Sequence, residues 1–134
     1  SNSISTFGGN PLVTRGSLAN LQYLKENNLQ ANAAKQGARL MEKLKKLASD
    51  TPGIGDVRGK GLMIGLEFVG KDGRTPDVET VMQLMEVTKE NGLLIGKGGF
   101  YGNVIRIAPP LSITEAEIDE GFDILAGAVK TLAR

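Results

Sequence analysis

The sequence predicts an α+β fold: a small, mostly antiparallel sheet of three or four strands with helices on one face, preceded by a long N-terminal helix. Three observations carry this. Along residues 62–69, Leu62, Ile64, Leu66 and Phe68 alternate with Met63, Gly65, Glu67 and Val69, which is the best strand pattern in the chain. Gly59-Lys60-Gly61 turns the chain back from a shorter run at 54–58, so the two make an antiparallel hairpin. Apolar residues at three-and-four spacing flank these runs, giving the order helix, helix, strand, strand, helix, strand, strand, helix. Such a sheet keeps one bare face, which meets solvent or a partner.

Ser1 and Asn2 read as a remnant of an expression tag and receive no weight. Residues 3–10 are polar and glycine-bearing, and they lead into Asn10-Pro11, an N-cap side chain followed by proline at the first helical position. The helix that starts there runs to about Glu26. It carries only Leu18, Leu21 and Leu24 among small residues, a stripe suited to lying across another surface. Asn27-Asn28 breaks it. A second helix runs to about Ser49 with Ala33, Gly37, Leu40, Met41, Leu44 and Leu47 on one side. Its other side holds Lys35, Arg39, Glu42, Lys43, Lys45 and Lys46, and reads as a solvated basic face.

Thr51-Pro52-Gly53 is a turn, and residues 70–75 are a polar loop. A third helix begins near Pro76-Asp77, places Val78, Val81, Met82 and Met85 on one face, and closes at Asn91-Gly92. Leu93-Leu94-Ile95 reads as a short buried strand and residues 96–102 as a loop. Residues 104–108 form the next strand, ended by Pro109-Pro110. Thr114 and Glu117 make a capping box, with Ile113 and Ile118 at staple spacing. The last helix, from Glu115 to about Leu132, buries Ile118, Phe122, Leu125, Val129 and Leu132. Lys130 and Arg134 lie near its negative end.

Composition excludes several functions. The chain has 134 residues, enough for a core without disulfides or metals. Sixteen basic and 15 acidic residues leave a net charge of +1, which gives no electrostatic basis for holding nucleic acid or an anionic membrane. Four Phe, two Tyr and no Trp leave few platforms for base stacking. Nothing approaches the roughly 18 consecutive apolar residues of a membrane span, and no signal-peptide core opens the chain. A cytoplasmic location is expected. Without cysteine or histidine, the chain can form no disulfide, no Cys-ligated zinc site and no Ser-His or Cys-His nucleophile. No metal site and no complete set of catalytic residues are expected. The two Gly-Lys-Gly stretches at 59–61 and 96–98 fit no phosphate-loop pattern and read as tight turns.

Two places remain as candidate sites. On the strand at 104–108, Ile105 and Ile107 share one face, while Val104, Arg106 and Ala108 share the other. If the isoleucines meet the helices, Arg106 looks onto an uncovered surface. A guanidinium on a stiff strand suits a carboxylate held by two parallel hydrogen bonds, although the residue chemistry alone favours a routine salt bridge or a solvated edge-strand position, where most charged strand residues lie. In the segment from Thr6 to Pro11, a hydroxyl, a glycine backbone and a helix start suit an anion, or simply a helix entry.

Together these pieces resemble the C-terminal small domain of the class III (ω-) pyridoxal-phosphate-dependent aminotransferases, of fold type I. The resemblance rests on STFGGNP at 5–11, GDVRGKGLMIGLEF at 55–68, NGLLIGKGG at 91–99 and NVIRIAPPLSIT at 103–114, in the family's order and spacing. The run GKGGFYGNVIRIAPP looks most like the alanine–glyoxylate (type 2) and 4-aminobutyrate branch. The resemblance implies a parent enzyme that moves an amino group between an amino acid (an ω-amino acid such as 4-aminobutyrate, or alanine) and a 2-oxo acid. It implies pyridoxal 5'-phosphate as cofactor and a homodimer in which Thr6 reaches the cofactor phosphate of the neighbouring subunit. Arg106 is implied to hold the substrate carboxylate, and Gly8 and Gly9 to let the backbone turn closely.

The family's Schiff-base lysine, its aspartate beside the pyridine nitrogen and its ring-stacking aromatic belong to a large domain N-terminal to this segment. The chain is therefore expected to be a single-domain fragment, with residues 1–28 a connecting segment and helix and residues 29–134 the α+β core. By itself it should be inactive and bind the cofactor weakly or not at all. The alternative is a stand-alone α+β ligand-binding or regulatory module, which would bind or assemble tightly as it is.

Overall fold

A computed structural model describes residues 4–132; the readings of Ser1-Asn2 and Arg134 lie outside these residues. Four helices and four strands follow one another as α1 (Pro11–Glu26), α2 (Leu29–Ser49), β1 (Ile54–Lys60), β2 (Met63–Phe68), α3 (Val78–Glu90), β3 (Gly96–Gly98), β4 (Val104–Ile107) and α4 (Glu115–Leu132). The strands form one antiparallel sheet in the order β1-β2-β4-β3.

The helix starts are made as their sequences dictate. Asn10 Oδ1 accepts from the Val13 N–H at 3.0 Å, with Pro11 at the first position of α1. Asp77 accepts from the Thr80 N–H at 3.0 Å at the head of α3. At the head of α4, the Thr114 N–H donates to Glu117 at 2.8 Å while the Glu117 N–H donates back to the Thr114 hydroxyl at 3.3 Å. Asn28 takes a left-handed conformation (φ 50°), which separates α1 from α2.

Packing follows the alternation of β2. Ile64, Leu66 and Phe68 are buried against α2 (Leu40, Leu44, Leu47), α3 (Val81, Leu84) and α4 (Ile118, Leu125, Val129). Each such side chain contributes about 1.5–3 kcal/mol by leaving water. Asn103 sets the register of β4: its side chain donates to the Phe68 carbonyl at 2.8 Å, and its own carbonyl accepts from the Phe68 N–H at 2.8 Å. Space is tight where α2 crosses the hairpin. A methyl group on Gly37 would stand 2.2 Å from the Gly61 carbonyl oxygen, so no larger residue fits.

Four expectations are corrected. Residues 93–95 are not a strand, and Leu94 is 82% exposed; the strand is β3, inside the stretch read as a loop. The Leu93 N–H donates to the Thr88 carbonyl at 2.8 Å, so this apolar run serves as the C-terminal closure of α3 before pairing begins. The Gly-Lys-Gly stretches are not turns in themselves, since β1 extends to Lys60 and the two-residue turn is Gly61-Leu62. On α3, Val81 is buried and Met85 packs against the core as expected, but Leu84 and Thr88 are the other buried residues, while Met82 lies outward.

The basic face of α2 is not simply solvated, because it clamps α4. Arg39 donates to Asp119 through Nε at 3.0 Å and Nη2 at 2.6 Å, Lys43 reaches Asp119 at 2.7 Å, and Arg39 Nη1 meets Glu115 at 3.2 Å. The hydrogen bonds from Arg39 and Lys43 hold the Asp119 carboxyl well below its ordinary 3.8. A carboxyl depressed by folding stabilises the fold above its unfolded value, and that contribution disappears as pH falls through the lower, folded value.

Two outcomes follow. Gly37→Ala should lower the urea unfolding midpoint, at a cost of about 1–3 kcal/mol from overpacking. On acidification below pH 3.8, the melting temperature of the unaltered chain should fall more steeply than that of Asp119→Asn, as read by circular dichroism across pH 2–6.

Candidate functional site

Ile105 on β4 is fully buried, so the alternation of the strand turns Arg106 out to the open face. Arg106 stands between two glycines, opposite Gly65 of β2 on one side and Gly96 of β3 on the other. They do different things. A methyl group on Gly96 would lie 3.4 Å from both Nε and Nη2 of Arg106, so the arginine leans over β3, the edge strand. A methyl group on Gly65 would instead press on Val104 at 3.2 Å. Val104, expected on the uncovered face beside Arg106, is in fact buried there, packed close to Gly65 and to the backbone of Gly99.

The same face carries a second arginine. Arg58 of β1 pairs with Gly65, so the row across the sheet reads Arg58, Gly65, Arg106, Gly96. Arg58 Nη1 donates to Asp56 at 2.7 Å and to Glu67 at 2.5 Å, and these bonds raise its affinity for its proton further. Arg106 is in no ion pair among the described residues. Of the two cations, Arg106 is the one available to an outside anion. Gly96 and Arg106 also line a mainly apolar cavity of about 230 Å³, together with Leu93, Ile107, Ile118, Phe122 and the charged Glu117.

Thr6 lies in the bend before α1 and is exposed. Its neighbours are already engaged: the Gly8 N–H donates to Ser5 Oγ at 3.0 Å, and the Asn10 side chain donates to the Phe7 carbonyl at 2.6 Å while capping α1. The Thr6 hydroxyl has no partner among the described residues, and nothing among them joins it to Arg106. The α1 helix, with Leu12, Leu21 and Tyr23 exposed, buries none of its residues.

Reading the sequence for single residues missed Arg58, Glu67 and Gly96. The two-residue turn at Gly61-Leu62 places Arg58 opposite Gly65 and Asp56 opposite Glu67, whereas a turn over residues 59–61 pairs Arg58 with Leu62 and hides both. Among the described residues, no helix is long and apolar enough to cross a membrane.

The four-stranded antiparallel sheet with helices on one face is a fold this chain shares with part of solved aminotransferases. The chain belongs to the class III aminotransferase family, whose description, "Aminotransferase class-III", matches residues 1–129. Over 116 residues it is 47% identical to alanine–glyoxylate aminotransferase 2 homolog 2, mitochondrial, of Arabidopsis thaliana, covering 86% of this chain and 24% of that protein. It is 40% identical over 125 residues to the alanine/serine racemase of Pyrococcus horikoshii, covering 93% of this chain and 26% of that one. Among solved structures, a Bacillus anthracis aminotransferase superposes with a TM-score of 0.88 at 35% identity, over 98% of this chain and 31% of that one. The chain spans about a quarter of the length of the curated relatives it matches.

Gly96→Val should push the guanidinium off β3 and shift the Arg106 Nε–H signal in NMR spectra, whereas Gly96→Ala, whose methyl group only reaches contact at 3.4 Å, should leave it nearly in place.

Proposed function

We propose that this chain is the C-terminal small domain of a pyridoxal-phosphate-dependent transaminase that moves an amino group between an amino acid and a 2-oxo acid. Alanine or an ω-amino acid such as 4-aminobutyrate is the donor class. The observation that carries this reading is Arg106: a guanidinium with no ion pair among the described residues, fixed on a strand and facing away from the helices. Its planar fork matches a carboxylate in two parallel hydrogen bonds, which fix the direction in which the rest of the substrate points.

Pyridoxal 5'-phosphate, when bound, supplies the electron sink that allows a proton to leave the substrate carbon. Thr6 fits that group at its phosphate. Its hydroxyl is exposed and free to donate, while the polar side chains beside it are used within the bend. Among the described residues no hydrogen bond joins Thr6 to Arg106 and Thr6 does not line the cavity that Arg106 lines, in keeping with Thr6 serving the site of a second subunit in a homodimer. Gly8 and Gly9 let the backbone turn closely beside it. We assign α1, which buries nothing within this chain, to the contact with an N-terminal large domain that holds the cofactor-linking lysine. The chain's own part is to orient: Arg106 holds the carboxylate and Thr6 steadies the phosphate.

In the full-length transaminase carrying this chain, Arg106→Lys should raise KM for a carboxylate substrate about tenfold or more, the loss expected when a charge-assisted hydrogen bond of about 1.5–3 kcal/mol is removed. Unchanged KM would rule the role out, and tight binding of an amino acid by the chain alone would favour a stand-alone module.

A further inference from the structure

On the open face, Glu67 of β2 stands directly opposite Val104 of β4 and Asp56 of β1. Two positions along β1 lies Arg58, and two along β4 lies Arg106. Glu67 is therefore the diagonal neighbour of an arginine on each side, and diagonal neighbours in a sheet are within reach of long side chains. An ion pair with Arg106 would be ordinary for this register. The structure has the other pair: Glu67 Oε2 is 2.5 Å from Arg58 Nη1. The same Nη1 lies 2.7 Å from Asp56, so one guanidinium reconciles two carboxylates that face each other across the ladder. Without it, Asp56 would repel Glu67 towards the sole remaining arginine of this row. Arg106 meanwhile leans the opposite way, over the bare backbone of Gly96.

We propose that Arg58 is a guard: it holds Glu67 so that this carboxylate does not neutralise Arg106, which stays open to a carboxylate from outside. Arg58 is a positioning residue that touches no substrate. Its importance for turnover rests on the role given to Arg106 above, but the competition of the two arginines for Glu67 does not.

The test has two arms. In the chain as it stands, Arg58→Ala should shift the Arg106 Nε–H NMR signal as Glu67 swings across, and adding Glu67→Gln should return that signal to its original position. In the full-length transaminase at low ionic strength, Arg58→Ala should raise KM for a carboxylate substrate about two- to fivefold, the strength of an exposed ion pair, with kcat little changed. Adding Glu67→Gln should restore KM, and the effect should fade as salt screens the pair. Restoration separates the guard from mere loss of packing, which a second substitution would not repair. If Arg58→Ala melts too low to examine, Arg58→Gln keeps the stem of the side chain and tests the same point. An Arg106 signal that does not move, or a KM that rises and is not restored by Glu67→Gln, overturns the proposal. A moved and restored NMR signal together with a silent Arg106→Lys supports the guard and removes only the substrate role of Arg106.

Discussion

Leu66 faces Ile105 across the β2–β4 ladder, and both are fully buried beneath the helices. Everything on the other side of the sheet depends on that pair. With side chains alternating along each strand, burying Ile105 sends Arg106 outward and sets Gly65 opposite it; a slip of one residue would bury the charge and expose the isoleucine. The two hydrogen bonds between Asn103 and Phe68 hold the register at the end of the ladder. The position of one guanidinium is thus fixed by apolar packing on the far side of the sheet, which is stronger and less sensitive to salt than any contact the guanidinium makes itself.

Charge is handled differently on the two sides of the molecule. Among the helices, Arg39 and Lys43 of α2 are taken up by Asp119 of α4, with Glu115 alongside, so the basic stripe becomes a clamp between helices. On the open face Arg58 is taken up by Asp56 and Glu67. Arg106 alone in its row is left without a carboxylate. The glycines beside it allow this: Gly65 admits Val104, and Gly96 lets the arginine lie flat along the edge of the sheet.

Where hydrogen bonds are local, the sequence was enough. Asn10-Pro11 and Thr114-x-x-Glu117 each make a helix start from residues three apart, and both are found as read. The alternation over residues 62–69 gave the central strand, and the outward direction of Arg106 followed from its two isoleucine neighbours. What depends on distant pairing was hidden. Gly96–Gly98 looks like a loop by composition, yet it becomes a strand because β4 supplies backbone partners that need no side chains. Leu93-Leu94-Ile95 looks like a strand and is the closure of a helix, because Gly92 turns with φ 86° just before it. The face of α3 differs from the one expected because α4 and the sheet both press on it, so Leu84 rather than Met82 goes inside. The Arg58–Glu67 bond could be seen only once the hairpin register was known. The hydroxyl of Thr6 was legible as a residue type, whereas its exposure in the bend before α1 was not.

The most direct measurement of the central claim is a crystal structure of the full-length class III aminotransferase family member that carries this chain, with a non-reactive carboxylate analogue of the proposed amino-acid substrate. The two terminal nitrogens of Arg106, or Nε and one of them, should each lie about 2.7–2.9 Å from a carboxylate oxygen. A carboxylate held elsewhere, with the Arg106 guanidinium facing only solvent or turned to Glu67, would contradict it.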